Sequence, residues 1–175
     1  MSAVEVIASE IFADGLRSYA VLDGASIPEL RQLLYDHRPE HECLYLGELA
    51  QDIQQVAPYL VELEPDAPFT SLLLERGWGK HWGIFAQSAE GIRALRQHFR
   101  RFLTVYDPQG KAMLFRYYDP RVLRTYLPTC NADELGQLFG PVTGFLAEGE
   151  SLRELLRFES QAGKLVKRVK DLEKK

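Results

Sequence analysis

HWGIFAQSAEGIRALRQHFRRF, residues 81–102, sets two periodicities side by side. From His81 to Ser88 it is a nearly continuous apolar run of the kind found in a central strand. Beyond it, Ile92, Leu95, Phe99 and Phe102 fall at helical spacing and make one apolar stripe. Ser88 stands where a capping hydroxyl would begin that helix. Arg93, Arg96, Arg100 and Arg101 lie mostly off the stripe. They make either a solvated helix face or a docking face for an acidic partner, since arginine forks bind carboxylates. A buried strand feeding an amphipathic helix is the mark of an α/β fold.

The flanking segments repeat the alternation. Residues 18–24 (SYAVLDG) predict a buried strand ended by Asp-Gly, followed by a helix capped by Ser26 with Pro28 in its first turn. Residues 43–47 and 58–65 read as further strands, and Phe69 to Glu75 as a helix stopped at Gly77. In LTVYDPQGKAMLFRYY, Asp107-Pro108-Gln109-Gly110 carries the residues of a type I turn and predicts a hairpin. Asp119 then caps a helix with Pro120 at its first position. A helix over Ala132–Leu138 ends at Gly140, and residues 141–149 read as a last strand. The expected fold is α/β, a mixed β-sheet flanked by helices, in one domain over residues 1–149. Residues 150–175 read as a C-terminal extension. LRELLRFES fits a strand or a helix, and residues 164–175, with six basic and two acidic side chains, read as a frayed basic tail. Such a tail is solvated or meets an acidic partner.

Composition bounds the class. The chain of 175 residues is 46% hydrophobic and 26% charged, as in ordinary globular domains. Cys43 and Cys130 are too few for a disulfide framework and fit free thiols in a reducing cytoplasm. Glu5, Glu10 and Asp14 stand where a secretory signal would carry basic residues, and no run reaches the ~20 apolar residues of a membrane span. A net charge of −4 argues against general nucleic-acid binding.

No cofactor or metal is expected. GWGKHWG (77–83) lacks the glycine and hydroxyl positions of a phosphate loop and the glycine at 82 of a dinucleotide fingerprint, where Trp82 stands. In HRPEHEC (37–43), Pro39 breaks the helix that would align His37 with His41. Asp23, Asp107 and Asp119 each precede Gly or Pro, so turns and caps account for them. On the expected alternating strand Arg116 shares a face with Leu114 and Tyr118, and a buried arginine there needs a carboxylate partner. Asp119 is near in sequence and Asp23 is a long-range candidate. No catalytic constellation emerges.

Several stretches together carry a resemblance: YAVLDGA (19–25), CLYLGE (43–48), APYLVELEP (57–65), Trp82–Phe85, LRQHFRRFLTVYDPQGK (95–111), LFRYYDPRVLRTYLPT (114–129) and LFGPV (138–142). The chain resembles, over roughly residues 17–147, the type VI secretion effector chaperones or adaptors, long catalogued as a domain of unknown function (4123). The resemblance implies a non-enzymatic cytoplasmic protein that binds a cognate toxin and helps load it onto the VgrG spike, with a co-chaperone as a further partner. It also implies that Arg116, Tyr118, Asp119, Pro120 and Arg121, with Trp82 and Asp23, are hallmark residues that hold the fold or touch the partner. Many relatives carry a second, variable lobe after this domain. Two other readings stand beside it: a small hydrolase-type enzyme, and an immunity protein that neutralises a toxin.

Overall fold

The computed structural model describes residues 1–173. In chain order the first half comprises α1 (Ala3–Ile11), β1 (Arg17–Asp23), α2 (Leu30–His37), β2 (His41–Cys43), α3 (Gln51–Val56), β3 (Pro58–Leu63), α4 (Pro68–Gly77) and β4 (Gly83–Ser88). Then follow α5 (Ile92–Arg100), β5 (Thr104–Tyr106), β6 (Ala112–Leu114), α6 (Pro120–Tyr126), α7 (Ala132–Phe139), β7 (Val142–Glu148), β8 (Glu154–Gln161) and β9 (Lys164–Asp171). Seven strands form one sheet in the order β2-β3-β1-β4-β7-β8-β9, and β5 with β6 forms a separate hairpin.

Helices cover both faces of the sheet. In β1, Tyr19 and Val21 point to a core shared with Ile92, Leu95 and Phe99 of α5, Leu123 of α6 and Leu135 of α7. Ala20 and Leu22 point the other way, to a core with Ile7 and Ile11 of α1, Leu30 of α2 and Phe69 of α4. The α/β architecture is therefore as expected, but every pairing in the sheet is antiparallel, not mixed. Burial on two faces produces a continuous apolar run whichever way the neighbour points, so the runs carry no information about strand direction.

The C-terminal residues are the largest correction. Against the expectation of an extension with a frayed tail over residues 150–175, β8 pairs with β7 and β9 with β8 along eight residue pairs, while residues 174 and 175 lie outside the described residues. Leu156 and Phe158 complete one core, and Leu155 and Leu172 the other. The boundary at residue 149 does not divide the fold. Lysines alternating with Leu165, Val166 and Val169 look like a tail in sequence but suit an edge strand.

Two helix starts also differ. Ser26 donates its hydroxyl to the Asp23 carboxylate (2.7 Å), and α2 begins only at Leu30. Ser88 donates to the Pro141 carbonyl (2.6 Å) and accepts from the Glu90 amide (3.1 Å), while Gly91 precedes α5. The strand expected at 43–47 runs over His41–Cys43 instead. Two helices, α1 and α3, have no counterpart in the expected elements. The Ser2–Glu5 capping box of α1 was visible in the sequence, whereas α3 buries no residue and has no side-chain cap to announce it.

Candidate functional site

The stretch 114–129 is where the structure departs most usefully from a simple strand. β6 stops at Leu114, and the Phe115 amide donates to the Leu103 carbonyl (2.8 Å), closing the base of the β5–β6 hairpin. Residues 117 to 120 are then buried in succession, which no alternating strand allows. The Tyr117 hydroxyl donates to the Phe99 carbonyl (2.9 Å), and its ring stacks on Phe99 at 5.9 Å. Tyr118 is also buried; burial, with Tyr45 and Asp23 nearby, raises its hydroxyl pKa well above the usual value despite Arg116. Asp119 caps α6 as expected, accepting from the Arg121 amide (2.9 Å), with Pro120 at the first helical position.

Arg116 pairs with Asp23, the long-range partner, and not with Asp119. Asp23 is 1% exposed and also accepts from the Ala25 amide (3.0 Å) and the Ser26 hydroxyl (2.7 Å). Its amide donates to the Trp82 carbonyl (2.8 Å), so the clasp joins β1, β4 and the entry to α6. Trp82 is buried, its ring over Gly77 and the Lys80 ammonium 5.6 Å from its centroid. Asp119 takes the Arg121 fork instead, at 3.0 and 2.7 Å.

Burial alone would raise the Asp119 carboxyl, but the hydrogen bonds and charge of Arg121, with Arg116 beside it, outweigh burial and hold it below its ordinary value. Its stabilising contribution is therefore complete above the ordinary carboxylate value and fades as pH falls through the lowered folded value. Asp119→Ala is expected to cost about 1–2 kcal/mol at pH 7 through the lost cap; the freed Arg121 is exposed and adds little. Chemical unfolding at pH 7 and pH 3 measures it. The gap between variant and parent should narrow at pH 3, and an equal gap at both would sink the account.

Glu148, which no motif in the sequence marks, sits beside this cluster at the end of β7. It is 5% exposed, accepts from the amides of Gly79 (2.5 Å) and His81 (2.9 Å), and contacts the His81 ring. His81 holds a positive φ of 57° at this point. Arg124 of α6 donates to the Gly149 carbonyl (3.0 Å), tying α6 to the same strand end. A lone carboxylate at the end of the apolar run FLAEG was the available signal. Asp23, Glu148, His81, Arg116, Arg121 and Arg124 thus form a polar ring at one end of β1, β4 and β7. Each carboxylate in it already holds a cation, a histidine or amides, so the ring's visible work is to fasten α6 and the hairpin to the sheet.

The arginine face of α5 is only partly a face. Arg96 pairs with Glu42 (2.9 Å), and Arg100 donates to the carbonyls of Cys43, Leu44 and Tyr45 (2.9–3.3 Å). Both are spent within the fold, securing β2. Arg93 and Arg101 are exposed. Of the cluster His37, His41 and Cys43, the first ends α2 and the other two lie in β2; the His41 ring contacts the Pro39 carbonyl (2.7 Å), and no group of three ligating side chains gathers among the described residues. No helix among them is long and apolar enough to cross a membrane.

What stands free near the ring is apolar. Val105, Tyr106, Met113 and Leu114 are exposed on the hairpin, Tyr106 by 70%. They lead to a shallow groove of about 610 Å³ lined by Phe115, Val122, Thr125, Tyr126 and Thr129 together with Asp119 and Arg121. The Phe115 and Tyr126 rings meet edge-on at 4.8 Å, and burial, with Cys130 close by, raises the Tyr126 hydroxyl to about 12.

Fold and site together define a two-sided antiparallel α/β domain with a braced loop and a projecting apolar hairpin. The family model described as Domain of unknown function (DUF4123) matches residues 18–137, more than half of the chain, and the protein belongs to that family. No curated protein and no solved structure matches it significantly.

Proposed function

We propose that the protein is a non-enzymatic chaperone or adaptor that binds a type VI secretion effector in the cytoplasm and helps load it onto the VgrG spike. The resemblance over residues 17–147 and membership of the family support this reading. The observation that carries it is the β5–β6 hairpin, exposed along both strands. An isolated two-stranded ribbon gains little by itself in water, and an exposed apolar patch of this kind serves to contact another protein. The hairpin base is held firmly by Leu103, Tyr117 and the Arg116–Asp23 clasp, so the hairpin is presented on a rigid support.

The effector covers this hairpin and the adjoining Phe115–Tyr126 groove until hand-off. Capture of the protein from its own cells, with mass spectrometry of what co-purifies, should recover a toxin and a VgrG protein. The double variant Tyr106→Ser, Met113→Ser should keep the parent melting temperature and recover about tenfold less toxin, as expected when two exposed apolar anchors are lost. Undiminished recovery would remove the hairpin from the reading. A chaperone also raises the toxin's soluble yield on co-expression without protecting cells; protection would favour an immunity protein.

A further inference from the structure

The two edges of the sheet are treated differently. At one end, β2 is three residues long, Arg96 of α5 holds its Glu42, and Arg100 takes the Cys43 carbonyl and those of Leu44 and Tyr45 just beyond the strand. At the other end, β9 runs eight residues, and no backbone group on its outer side has a partner among the described residues. The Leu172 amide donates to the Arg153 carbonyl, and antiparallel ladders alternate. With the observed register, that alternation turns the N–H and C=O of Leu165, Lys167, Val169 and Asp171 outward. A long open edge of this kind is a template for another strand.

The side chains specify which strand. One face of β9 carries Lys164, Val166, Arg168 and Lys170; the other carries Leu165, Lys167, Val169 and Asp171. Lys170 pairs with Glu10 (2.5 Å) and Arg168 lies 3.7 Å from Glu159, while Lys164 and Lys167 have no ion pair among the described residues. Pairing with a second copy of β9 would set cations against cations, which is destabilising. An acidic strand meets the opposite situation.

We infer that the outer edge of β9 binds an extended acidic segment of a partner protein by strand addition. Acidic residues of that segment lie along Lys164 and share Arg168 and Lys170 with Glu159 and Glu10, and alternate apolar residues lie along Leu165 and Val169. Main-chain hydrogen bonds hold the segment and the charges select it. This does not rest on the chaperone reading, and its test contains no effector, so either can fail alone.

The probe is a fluorescein-labelled peptide of alternating glutamate and valine, as long as β9, followed by fluorescence anisotropy. The parent should bind it and bind more weakly as salt rises. Lys167→Pro removes an outward N–H without touching the β8–β9 ladder, as proline on an edge strand allows. Lys167→Gln removes the same charge and keeps the N–H. Lys167→Pro should bind about tenfold more weakly than Lys167→Gln, the effect of a lost hydrogen bond and a disturbed neighbour. Amide exchange gives a second readout that needs no variant: peptide should slow exchange at residues 165, 167, 169 and 171 and leave the alternate amides unchanged. Equal binding by the two variants, no alternate-residue protection, or equal binding of a peptide with proline at every second position would each overturn strand addition. Stronger binding of a single-stranded oligonucleotide than of the peptide would overturn the choice of partner.

Discussion

Arg116→Met is expected to lower stability by about 2–3 kcal/mol, more than the loss of an ordinary surface ion pair. The asymmetry lies in the partner. Arg116 keeps 40% of its side chain in solvent, whereas Asp23 keeps 1%. Taking away the guanidinium leaves a buried carboxylate supported only by the Ala25 amide and the Ser26 hydroxyl, and an uncompensated buried charge is the costly half of a broken pair. The exposure of Arg116 places the cost below the usual range for fully buried pairs. Because the two residues act as one clasp, Asp23→Asn combined with Arg116→Met should cost less than the sum of the single changes by about 1 kcal/mol. Urea unfolding of the four proteins measures the cycle. Additive changes would mean the clasp does not bind hairpin to sheet.

Gly83→Ala should be worse, about 3 kcal/mol or more, because nothing near it is free to move. A Cβ at Gly83 would stand 2.2 Å from the Val21 carbonyl oxygen and 3.1 Å from the Leu22 Cα. These are backbone atoms of β1, paired with β4 at the middle of the sheet, where Leu22 faces Gly83. The only relief is to spread the two strands. That spreading also pulls on the hydrogen bond from Asp23 to the Trp82 carbonyl, and so on the clasp. Gly136→Ala in α7 is the control: no atom lies within 4 Å of its Cβ position, and alanine in a helix interior is favoured by about 0.5–1 kcal/mol. Thermal unfolding of both decides the matter, and a Gly83→Ala protein as stable as the parent would mean that β1 and β4 are not held as closely as described.

Together these residues account for the composition of FRYYDPR, residues 115–121. Arg116 reaches Asp23, Tyr117 reaches Phe99, Tyr118 fills the core beside Tyr45, and Asp119 and Pro120 start α6. Sequence spacing made the Asp119 cap and Pro120 legible, since both act within three residues of themselves. It made the hairpin legible too: the Asp107 carboxylate accepts from the amides of Gln109 (2.9 Å) and Lys111 (2.8 Å). It could not choose between Asp23 and Asp119 for Arg116, because the two carboxylates differ only in chain distance, and folding removes that difference. The ties of Glu148 are hidden for the same reason, since its partners Gly79 and His81 lie 69 and 67 residues away along the chain.

By itself, then, the sequence determined what short-range physics determines: which runs are buried, where the Asp107 turn and the Asp119 cap fall, and that helices and strands alternate. Tertiary structure alone decided strand direction, since burial on both faces leaves the same apolar run for either pairing. It also turned the basic end into an edge strand and spent Arg96 and Arg100 inside the fold. Those outcomes depend on which neighbour lies alongside, and a neighbour brought in across the chain leaves no mark in local spacing.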